Sequence, residues 1–144
     1  MRVDFYHLTR DPAPQALALI AGKALQGGQR MFVVCEDEAA RTALSDAMWA
    51  NPGFLANGEV GQPGADMQPV LLSPEMTVPI NGARLVALAD GIWRDDALEF
   101  DRAFLFFDAS TIDGARGAWR ALGERDNVER RYWKQADGRW VEGP

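Results

Sequence analysis

Two arginines and a tryptophan late in the sequence have the types and the spacing to bind a chemical group together. Arg116, Trp119 and Arg120 fall at positions i, i+3 and i+4 of a predicted helix, so their side chains share one helix face. The planar fork of arginine can hold both oxygens of a carboxylate, and an indole edge offers a floor to an attached apolar group. The pattern therefore suits a carboxylate that is joined to an apolar group.

The same residues also fit an ordinary solvated helix face, with Trp119 turned into the core and both arginines in water, because most charged helix faces are only solvated. Gly114 and Gly117 slightly favour the interpretation as a binding face. Each glycine inside a helix costs about 1 kcal/mol relative to alanine, so two of them in one turn indicate a close approach by backbone, by a side chain or by a ligand. The residues alone leave both interpretations open.

The other reactive side chains form no catalytic pattern. His7 and Cys35 are the only histidine and the only cysteine, which leaves neither a histidine-rich metal site nor an internal disulfide. Cys35 precedes acidic residues at 36–38, and negative neighbours raise the pKa of a thiol instead of activating it. We interpret both side chains as structural. The acidic residues between 95 and 101 could hold a divalent cation, but acidic turns are common, and we predict no metal and no cofactor.

The elements that must position these residues alternate between strand and helix along the chain. Residues 103–107 are apolar without alternation, as expected for a strand covered on both faces, and Ser110 is the predicted N-cap of the helix that follows. Parallel strands joined by crossover helices give such an alternation. The predicted strands are residues 2–8, 29–35, 84–89, 102–108 and 128–135, with a hairpin arm at 139–141 after a turn at 136–138, and the predicted helices are residues 14–25, 36–50 and 111–125.

The fold class that follows is α/β, in a single three-layer domain over residues 1–144 whose mostly parallel sheet is flanked by helices. Such a sheet is Rossmann-like, yet the connections LTRDPAP, CEDEAA and FDASTID carry neither GxGxxG nor GxxxxGKS/T. The acids of CEDE would also repel a pyrophosphate. We therefore predict no nucleotide site, and a small nucleotide-binding or phosphotransfer enzyme on a doubly wound sheet is the alternative interpretation.

Charge limits the possible partners. The net charge is −6, and a protein that is acidic overall is poorly suited to grip the backbone of DNA or RNA. Residues 1–115 hold 8 basic and 16 acidic side chains, whereas residues 116–144 hold 7 basic and 5 acidic ones. Direct binding of single-stranded DNA through Trp119, Trp133 and Trp140 is accordingly the weakest hypothesis. Trp133 and Trp140 could instead pair across the predicted hairpin.

A long connection follows the second predicted helix. Residues 51–67 are rich in glycine, proline and small polar residues, and we predict a loop without secondary structure. Loops of this length in compact domains are often functional. Trp49 and Phe54 flank its start, and such aromatic residues either mark a docking surface or fold back onto the core.

The N-terminal residues MRVDFYHL contain no apolar run long enough for a signal peptide or a membrane span. A lone cysteine also fits a reducing compartment. We expect a cytoplasmic protein that has no association with a membrane.

Seven short segments stand in a characteristic order and spacing. They are FYHL at residues 5–8, CEDE at 35–38, LSDAMW at 44–49, FL at 54–55, QPVLL at 68–72, ARGAWR at 115–120 and YWKQADGRW at 132–140. Each segment alone is too short to be specific. In their order and spacing, together, they resemble the chi subunit family of bacterial DNA polymerase III, whose members are accessory proteins of the clamp-loader assembly.

The resemblance implies a non-catalytic α/β subunit that bridges two partners. One partner is the psi subunit of DNA polymerase III, and the residues implied to contact it are Trp49 and Phe54. The other is the acidic C-terminal tail of single-stranded DNA-binding protein (SSB), which ends in an apolar residue with a free carboxylate. The residues implied to bind this tail are Arg116, Trp119 and Arg120. The implied role is to tether the polymerase during DNA replication, with DNA contacted only indirectly, as a monomer or as a heterodimer with psi.

The chain departs from many relatives at one place in the long connection. After the Phe-Leu pair they carry a proline and a histidine, where this chain has Ala56 and Asn57. The difference bears on the shape of the loop that would face psi.

Overall fold

The computed structural model of the protein describes residues 1–136 and 139–143. Strands and helices alternate through the first part of this chain, as predicted. The strands are β1 (Arg2–His7), β2 (Met31–Val34), β3 (Asn57–Glu59), β4 (Val70–Ser73), β5 (Leu85–Leu88), β6 (Arg102–Phe107), β7 (Glu129–Ala136) and β8 (Arg139–Glu142). The helices are α1 (Ala13–Gln26), α2 (Glu38–Ala50) and α3 (Ile112–Leu122), with short 3-10 helices at Ala65–Met67 and Asp95–Glu99.

One sheet contains these eight strands in the order β3-β4-β2-β5-β6-β1-β7-β8. Neighbouring strands run parallel except β7 and β8, which pair antiparallel. The helices α1 and α2 pack on one face of the sheet, and α3 packs on the other. The predicted class, an α/β domain with a mostly parallel sheet between helices, is confirmed.

The central strands carry the core because they are covered on both faces. Every residue of β2 and β4 is buried, and β6 is buried beyond Arg102. The buried residues that face α1 and α2 form one cluster, around Leu17, Leu44 and Met48. Those that face α3 form a second cluster. A strand between two such clusters has to be apolar throughout, which explains why the sequence of β6 does not alternate.

The helix α3 is shorter than predicted, and its start differs. Its N-cap is Thr111, without a side-chain cap bond, whereas the predicted N-cap, Ser110, donates its hydroxyl to Asp108 Oδ1 at 2.6 Å. Asp108 also accepts the Ser110 backbone N–H at 2.9 Å, so the carboxylate at the end of β6 organises the turn. At the other end Gly123 is the C-cap, and the last predicted turn of the helix does not form.

The prediction of a structureless loop over residues 51–67 is wrong. Asn57–Glu59 forms β3, which pairs parallel with β4, and Ala65–Met67 forms a 3-10 helix. Asparagine and glycine have little preference for strands. Only the pairing with β4 makes this segment a strand, and no pattern along the sequence reveals that pairing.

The three tryptophans considered for single-strand binding lie on opposite faces of the sheet. Trp119 packs against the cluster beneath α3, whereas Trp133 and Trp140 pack against the cluster beneath α1 and α2. The three tryptophans therefore form no common stacking surface, which weakens the hypothesis that they bind single-stranded DNA together.

The strands β7 and β8 form the predicted hairpin, with a different pairing of its aromatic residues. Trp140 lies opposite Gln135, so it is not the direct cross-strand partner of Trp133. Both indoles instead contact the ring of Tyr6, with centroids 5.0 Å and 6.3 Å away. Residues 137 and 138 of the predicted turn lie outside the described residues.

A buried carboxylate joins β7 to the strands β1 and β6. Asp4 is 0% exposed and accepts hydrogen bonds from three strands: from Arg2, from Arg102 Nε at 2.7 Å and from Trp133 Nε1 at 2.9 Å. A buried charge is tolerated when it is paired and hydrogen-bonded. These bonds hold β7 in place beside β1, where β7 forms one wall of a cleft next to α3.

Candidate functional site

The cleft between α3 and the strands β1 and β7 has a volume of ≈ 350 Å³. This is within the range of small-ligand pockets, about 300–1,000 Å³. Arg116, Trp119 and Arg120, the residues predicted to act together, all line it. The structure thus brings these three side chains to one cavity. The remaining lining residues are Phe5, His7, Phe107, Ile112, Ala115, Tyr132 and Lys134.

The floor of the cleft is apolar. Phe5, Phe107 and Ala115 are each at most 3% exposed, because β1, β6 and α3 pack together there. Trp119 is half-buried, and its ring meets Phe5 edge to face, with the ring centroids 5.1 Å apart. Aromatic pairs favour this geometry. The indole therefore forms a fixed wall of the cleft, with part of its surface accessible.

Arg130 on β7 also holds Trp119 in place. Its Cζ lies 4.2 Å from the centroid of the indole, a distance at which a cation is attracted to an aromatic face. Its Nη1 donates to the Trp119 carbonyl at 2.7 Å, which lies in the last turn of α3 and also accepts the N–H of Gly123 at 3.2 Å. Arg130 thus caps α3 and fixes the indole at the same time.

Three cations surround the floor. Arg116, Arg120 and Lys134 line the cleft and are exposed, and within residues 1–136 and 139–143 none of them forms an ion pair. None of the described lining residues is an aspartate or a glutamate. Nearby Arg131, by contrast, pairs with Glu129 at 2.7 Å. Cations without paired acids around a low-dielectric floor produce a local positive potential, and such a site attracts an anion.

His7 lies in the cleft and contacts Tyr132. Its ring stacks on Phe107 with the centroids 4.8 Å apart, and its Nδ1 lies 2.7 Å from the Tyr132 hydroxyl oxygen. The parallel register of β1 and β7 places Tyr132 opposite Phe5 and Lys134 opposite His7. Pairing of these two strands therefore builds the wall of the cleft that faces α3.

The protein environment favours the neutral forms of His7 and Tyr132. Burial lowers the pKa of His7 below its ordinary value of 6.5, the charges of Lys134 and Arg116 lower it further, and Asp108 raises it. Burial raises the pKa of Tyr132, against the influence of Arg116. With only protein groups around them, both side chains are therefore mostly neutral at about pH 7.

The sequence interpretation did not assign His7, Tyr132 or Lys134 to this site. The structural role given to His7 is incomplete, because its ring lines the cleft. For Tyr132 and Lys134 the sequence did contain a local signal, because residues two positions apart in a strand share a face. What brings that face to α3 is the pairing of β7 with β1, which places Tyr132 opposite Phe5, and no local pattern reveals it.

Gly114 and Gly117 make no close approach to the rest of the protein. A Cβ atom added at either position would meet nothing within 4 Å. The predicted contact with backbone or with a side chain is therefore wrong, and the described residues do not explain why glycine stands at these positions.

The crevice at the carboxyl ends of the strands is where a doubly wound sheet binds nucleotides. Here Asp11, Asp90 and Asp108 line it, and Arg10 is the one basic residue among the described lining residues. Carboxylates repel phosphate groups, so the crevice lacks the charge that the alternative nucleotide-binding interpretation requires.

The backbone amides that could cradle a phosphate after β1 are occupied by a side chain of the protein. Gln135 Oε1 accepts the N–H groups of Thr9, Arg10 and Asp11, at 3.3, 2.9 and 3.0 Å. Its Nε2 donates to Asp11 Oδ2 at 2.9 Å. Successive amides of this kind bind anions in phosphate sites. The described residues therefore show no nucleotide site at this connection.

Trp49 and Phe54 are exposed around the end of α2, to 47% and 72%. They do not fold back onto the core. Phe54 has a φ of 50°, a left-handed conformation that costs energy for a residue with a side chain. Its N–H donates to the Asn51 carbonyl at 2.8 Å, and the next residue, Leu55, is buried. The backbone on both sides thus holds the Phe54 ring out into solvent.

The remaining reactive groups have structural surroundings. Burial raises the pKa of the Cys35 thiol. Asp95 accepts Trp93 Nε1 at 2.7 Å, and Asp101 pairs with Arg84 at 2.9 Å. In the part of the chain that the structure describes, no group of three or more His, Cys, Asp or Glu side chains could hold a metal ion. No helix in this part combines the length and the apolar character needed to cross a membrane.

The fold and these surfaces define a class of protein: a Rossmann-like α/β domain with a cationic cleft beside α3 and an acidic crevice at the strand ends. The family model described as DNA polymerase III chi subunit, HolC, matches residues 1–128. The chain therefore belongs to the DNA polymerase III chi subunit family, whose members are accessory subunits of that polymerase. The matched residues end immediately before β7.

Of two further comparisons, one found no match and the other adds the fold alone. No curated protein matches the chain. Among solved structures, the C-terminal domain of Dbp5 from S. cerevisiae, determined with bound Gle1 and IP6, is similar with a TM-score of 0.59 over 92% of this chain and 90% of that chain. The sequence identity is 11%, so the similarity concerns the arrangement of strands and helices.

Proposed function

We propose that the protein is a non-catalytic subunit of the clamp-loader complex of the DNA polymerase III holoenzyme, which tethers the polymerase through two contacts. In this proposal the cleft beside α3 binds the acidic C-terminal tail of SSB, and Trp49 and Phe54 bind the psi subunit. The observation that carries it is the trio Arg116, Arg120 and Lys134 around an apolar floor. A terminal carboxylate next to an apolar side chain fits both parts of the cleft.

The SSB tail has a group for each part of the cleft. Arg116 holds the terminal carboxylate through its planar guanidinium, and the last side chain rests on Phe5 and Trp119. The preceding acids lie near Arg120 and Lys134, whose charges also speed association. Burial of one large apolar side chain contributes about 1.5–3 kcal/mol, and each hydrogen bond to a charged group contributes about as much. The carboxylate, with several such bonds, is therefore the larger contributor.

Direct contact with DNA is not part of the proposal. The net charge is −6, and the tryptophans that could stack on bases are divided between the two faces of the sheet. The polymerase would reach single-stranded DNA through the SSB that coats it.

The psi contact is supported by the exposure of Trp49 and Phe54 and by the strained backbone at Phe54. Strain of this kind persists where the surrounding structure fixes it, and it is common at functional surfaces. Asn57, which replaces a histidine of many relatives, is buried here. Its Oδ1 accepts the Ser45 hydroxyl at 2.5 Å and its Nδ2 donates to the Leu55 carbonyl at 2.9 Å. Asn57 therefore holds the loop through these buried hydrogen bonds and would not itself contact psi.

Calorimetric titration with a short acidic peptide ending in phenylalanine tests the tail contact. We expect the wild type to bind, and we expect Arg116→Ala or amidation of the peptide to weaken binding by at least about tenfold, since each removes a charge-assisted contact. Arg125→Ala is the matched control, because Arg125 is exposed beyond the end of α3 and does not line the cleft. Equal binding in all of these titrations would overturn the tail contact.

The psi contact is tested by titrating the protein with the psi subunit of the same organism. Trp49→Ala and Phe54→Ala should each weaken binding. Val141→Ala is the control, since Val141 is also exposed, to 43%, but lies on β8 at the opposite edge of the sheet. Wild-type affinity in both aromatic variants would overturn this part of the proposal.

A further inference from the structure

We infer that His7 and Tyr132 form a proton-coupled donor, which strengthens binding of a carboxylate-terminated peptide as the pH falls. The inference rests on the proposed tail binding and adds the regulation of that site by proton uptake. The observation behind it is the distance of 2.7 Å between His7 Nδ1 and the Tyr132 hydroxyl oxygen, in the wall of the cleft.

This hydrogen bond has two forms, which differ in direction. When the imidazole of His7 is neutral and carries its proton on Nε2, Nδ1 accepts the hydroxyl hydrogen of Tyr132. When the imidazole is protonated, Nδ1–H donates and the tyrosine oxygen accepts. The hydroxyl hydrogen of Tyr132 is then free to point towards an anion in the cleft. Protonation therefore supplies a positive charge and an additional donor together.

Groups from three parts of the fold face His7 and set its charge. Tyr132 and Lys134 come from β7, Arg116 comes from α3, and Asp108 follows β6. Burial and the two cations lower the pKa of His7, and the negative charge of Asp108 raises it. These groups keep the imidazole mostly neutral at about pH 7.

A carboxylate bound in the cleft changes this balance. Its negative charge favours the protonated imidazole, and it offsets the charges of Arg116 and Lys134 that oppose protonation. Binding therefore raises the pKa of His7. Because the coupling between two bound ligands is reciprocal, a proton on His7 raises the affinity for the carboxylate by the same factor. The proton comes from solvent and stays on the imidazole while the peptide is bound.

Proton NMR can follow the coupling directly. His7 is the only histidine, so its imidazole Hε1 resonance needs no assignment by mutation. We would titrate it from about pH 5 to about pH 8, with the protein alone and with the protein saturated by the N-acetylated peptide, whose carboxyl groups titrate below this range. We expect the midpoint to move up with peptide. A movement of one pH unit corresponds to about a tenfold gain in affinity across the titration.

Two variants separate the charge from the hydroxyl. His7→Gln keeps a side chain that can bond to Tyr132 but does not titrate, and Tyr132→Phe keeps the ring but lacks the donor. Each variant is compared with itself, as the ratio of its peptide affinities at about pH 6 and about pH 8. We expect a ratio of about three to five in the wild type and in Arg125→Ala, below the full tenfold because His7 is only partly protonated at about pH 6, about one in His7→Gln, and an intermediate ratio in Tyr132→Phe.

Three results would overturn the inference: a His7 titration that is the same with and without peptide, a His7→Gln protein with the wild-type ratio, or a Tyr132→Phe protein with that ratio. The tether proposal survives each of them as long as Arg116→Ala and amidation of the peptide still weaken binding. A wild type that binds no peptide at any pH overturns both.

Discussion

The cleft beside α3 and the aromatic face, formed by Trp49 and Phe54, are built in opposite ways. In the cleft the apolar side chains are buried and the cations are exposed. At the aromatic face the apolar rings themselves stand in solvent, to 47% and 72%. The cleft suits a small anionic partner that is attracted by charge, whereas exposed rings are typical of the anchors by which a protein partner buries apolar surface. The difference agrees with the proposal that one subunit has two separate contacts.

The two surfaces also differ in how firmly they are held. Trp119 in the cleft contacts Phe5, Tyr132 and Arg130, so little freedom is lost when a ligand binds. The Phe54 ring is mostly in solvent, and its orientation depends on a left-handed backbone. A preorganised site loses less affinity to ordering than a flexible one. In the proposed function, a short peptide is therefore enough for the cleft, while the aromatic face requires a larger contact area.

Loss of both cleft arginines should have the largest effect. In the Arg116→Ala, Arg120→Ala double variant we expect the affinity for the tail peptide to fall at least about 100-fold, because each charge-assisted bond contributes about 1.5–3 kcal/mol. The affinity for psi should not change. Fluorescence anisotropy with a labelled peptide measures the first affinity, and calorimetry with psi measures the second. A parallel loss of psi binding would mean that the two surfaces are not independent.

Loss of both rings of the aromatic face should give the converse result. Anchors of this kind contribute about 2 kcal/mol or more, so the Trp49→Ala, Phe54→Ala double variant should bind psi at least about 30-fold more weakly. Its affinity for the tail peptide should equal that of the wild type. Calorimetry with each partner measures both affinities, and a weakened tail contact would contradict the separation.

The affinities of the two surfaces for their partners should depend differently on salt, which can be measured without any mutation. Screening weakens exposed charge pairs, so an increase from about 0.05 M to about 0.5 M sodium chloride should lower the tail affinity by about tenfold. The psi affinity should change less than about twofold. Equal dependence on salt would indicate that the aromatic face also binds by charge.

The smallest effect expected is on stability, from relief of the strain at Phe54. Glycine adopts a φ of 50° without the cost of about 1–2 kcal/mol that a side chain has there, but it costs about 0.5–1 kcal/mol of backbone entropy. Phe54→Gly should therefore change the free energy of unfolding by less than about 1 kcal/mol, as measured by urea denaturation. Phe5→Ala, which removes a buried ring from the cleft floor, should cost about 3–5 kcal/mol. A similar loss of stability in Phe54→Gly would indicate that the Phe54 ring is buried in the core and would contradict its exposure.

Local patterns were sufficient for those parts of the molecule in which neighbours in sequence are neighbours in space. The helical period places Arg116, Trp119 and Arg120 on one face wherever α3 packs, and the structure brings them to one cleft. The unbroken apolar run of β6 predicted a strand buried on both faces, and β6 is one.

The features that sequence reasoning missed depend on pairing between distant segments. Tyr132 and Lys134 reach the cleft because β7 pairs with β1, and β3 is a strand because β4 lies beside it. The N-cap is a local exception: Ser110 donates its hydroxyl to Asp108 Oδ1, two residues away, as part of a turn after which the helix begins one residue later than predicted. For β3, Tyr132 and Lys134, a contact outside the local sequence decides between two locally acceptable conformations.

The pairing of β7 with β1 has a consequence for the order in which the protein is made on the ribosome. His7 and Tyr132 are separated by 125 positions, so β1 emerges long before its neighbour. Until β7 is translated, β1 is an open edge of a parallel sheet, and open apolar edges attract other chains. The nascent protein thus has an aggregation-prone edge that is covered only when β7 has been translated. The cleft is completed at the same step, because β7 supplies Tyr132 and Lys134 to its wall, so a nascent chain without β7 does not present the complete cleft.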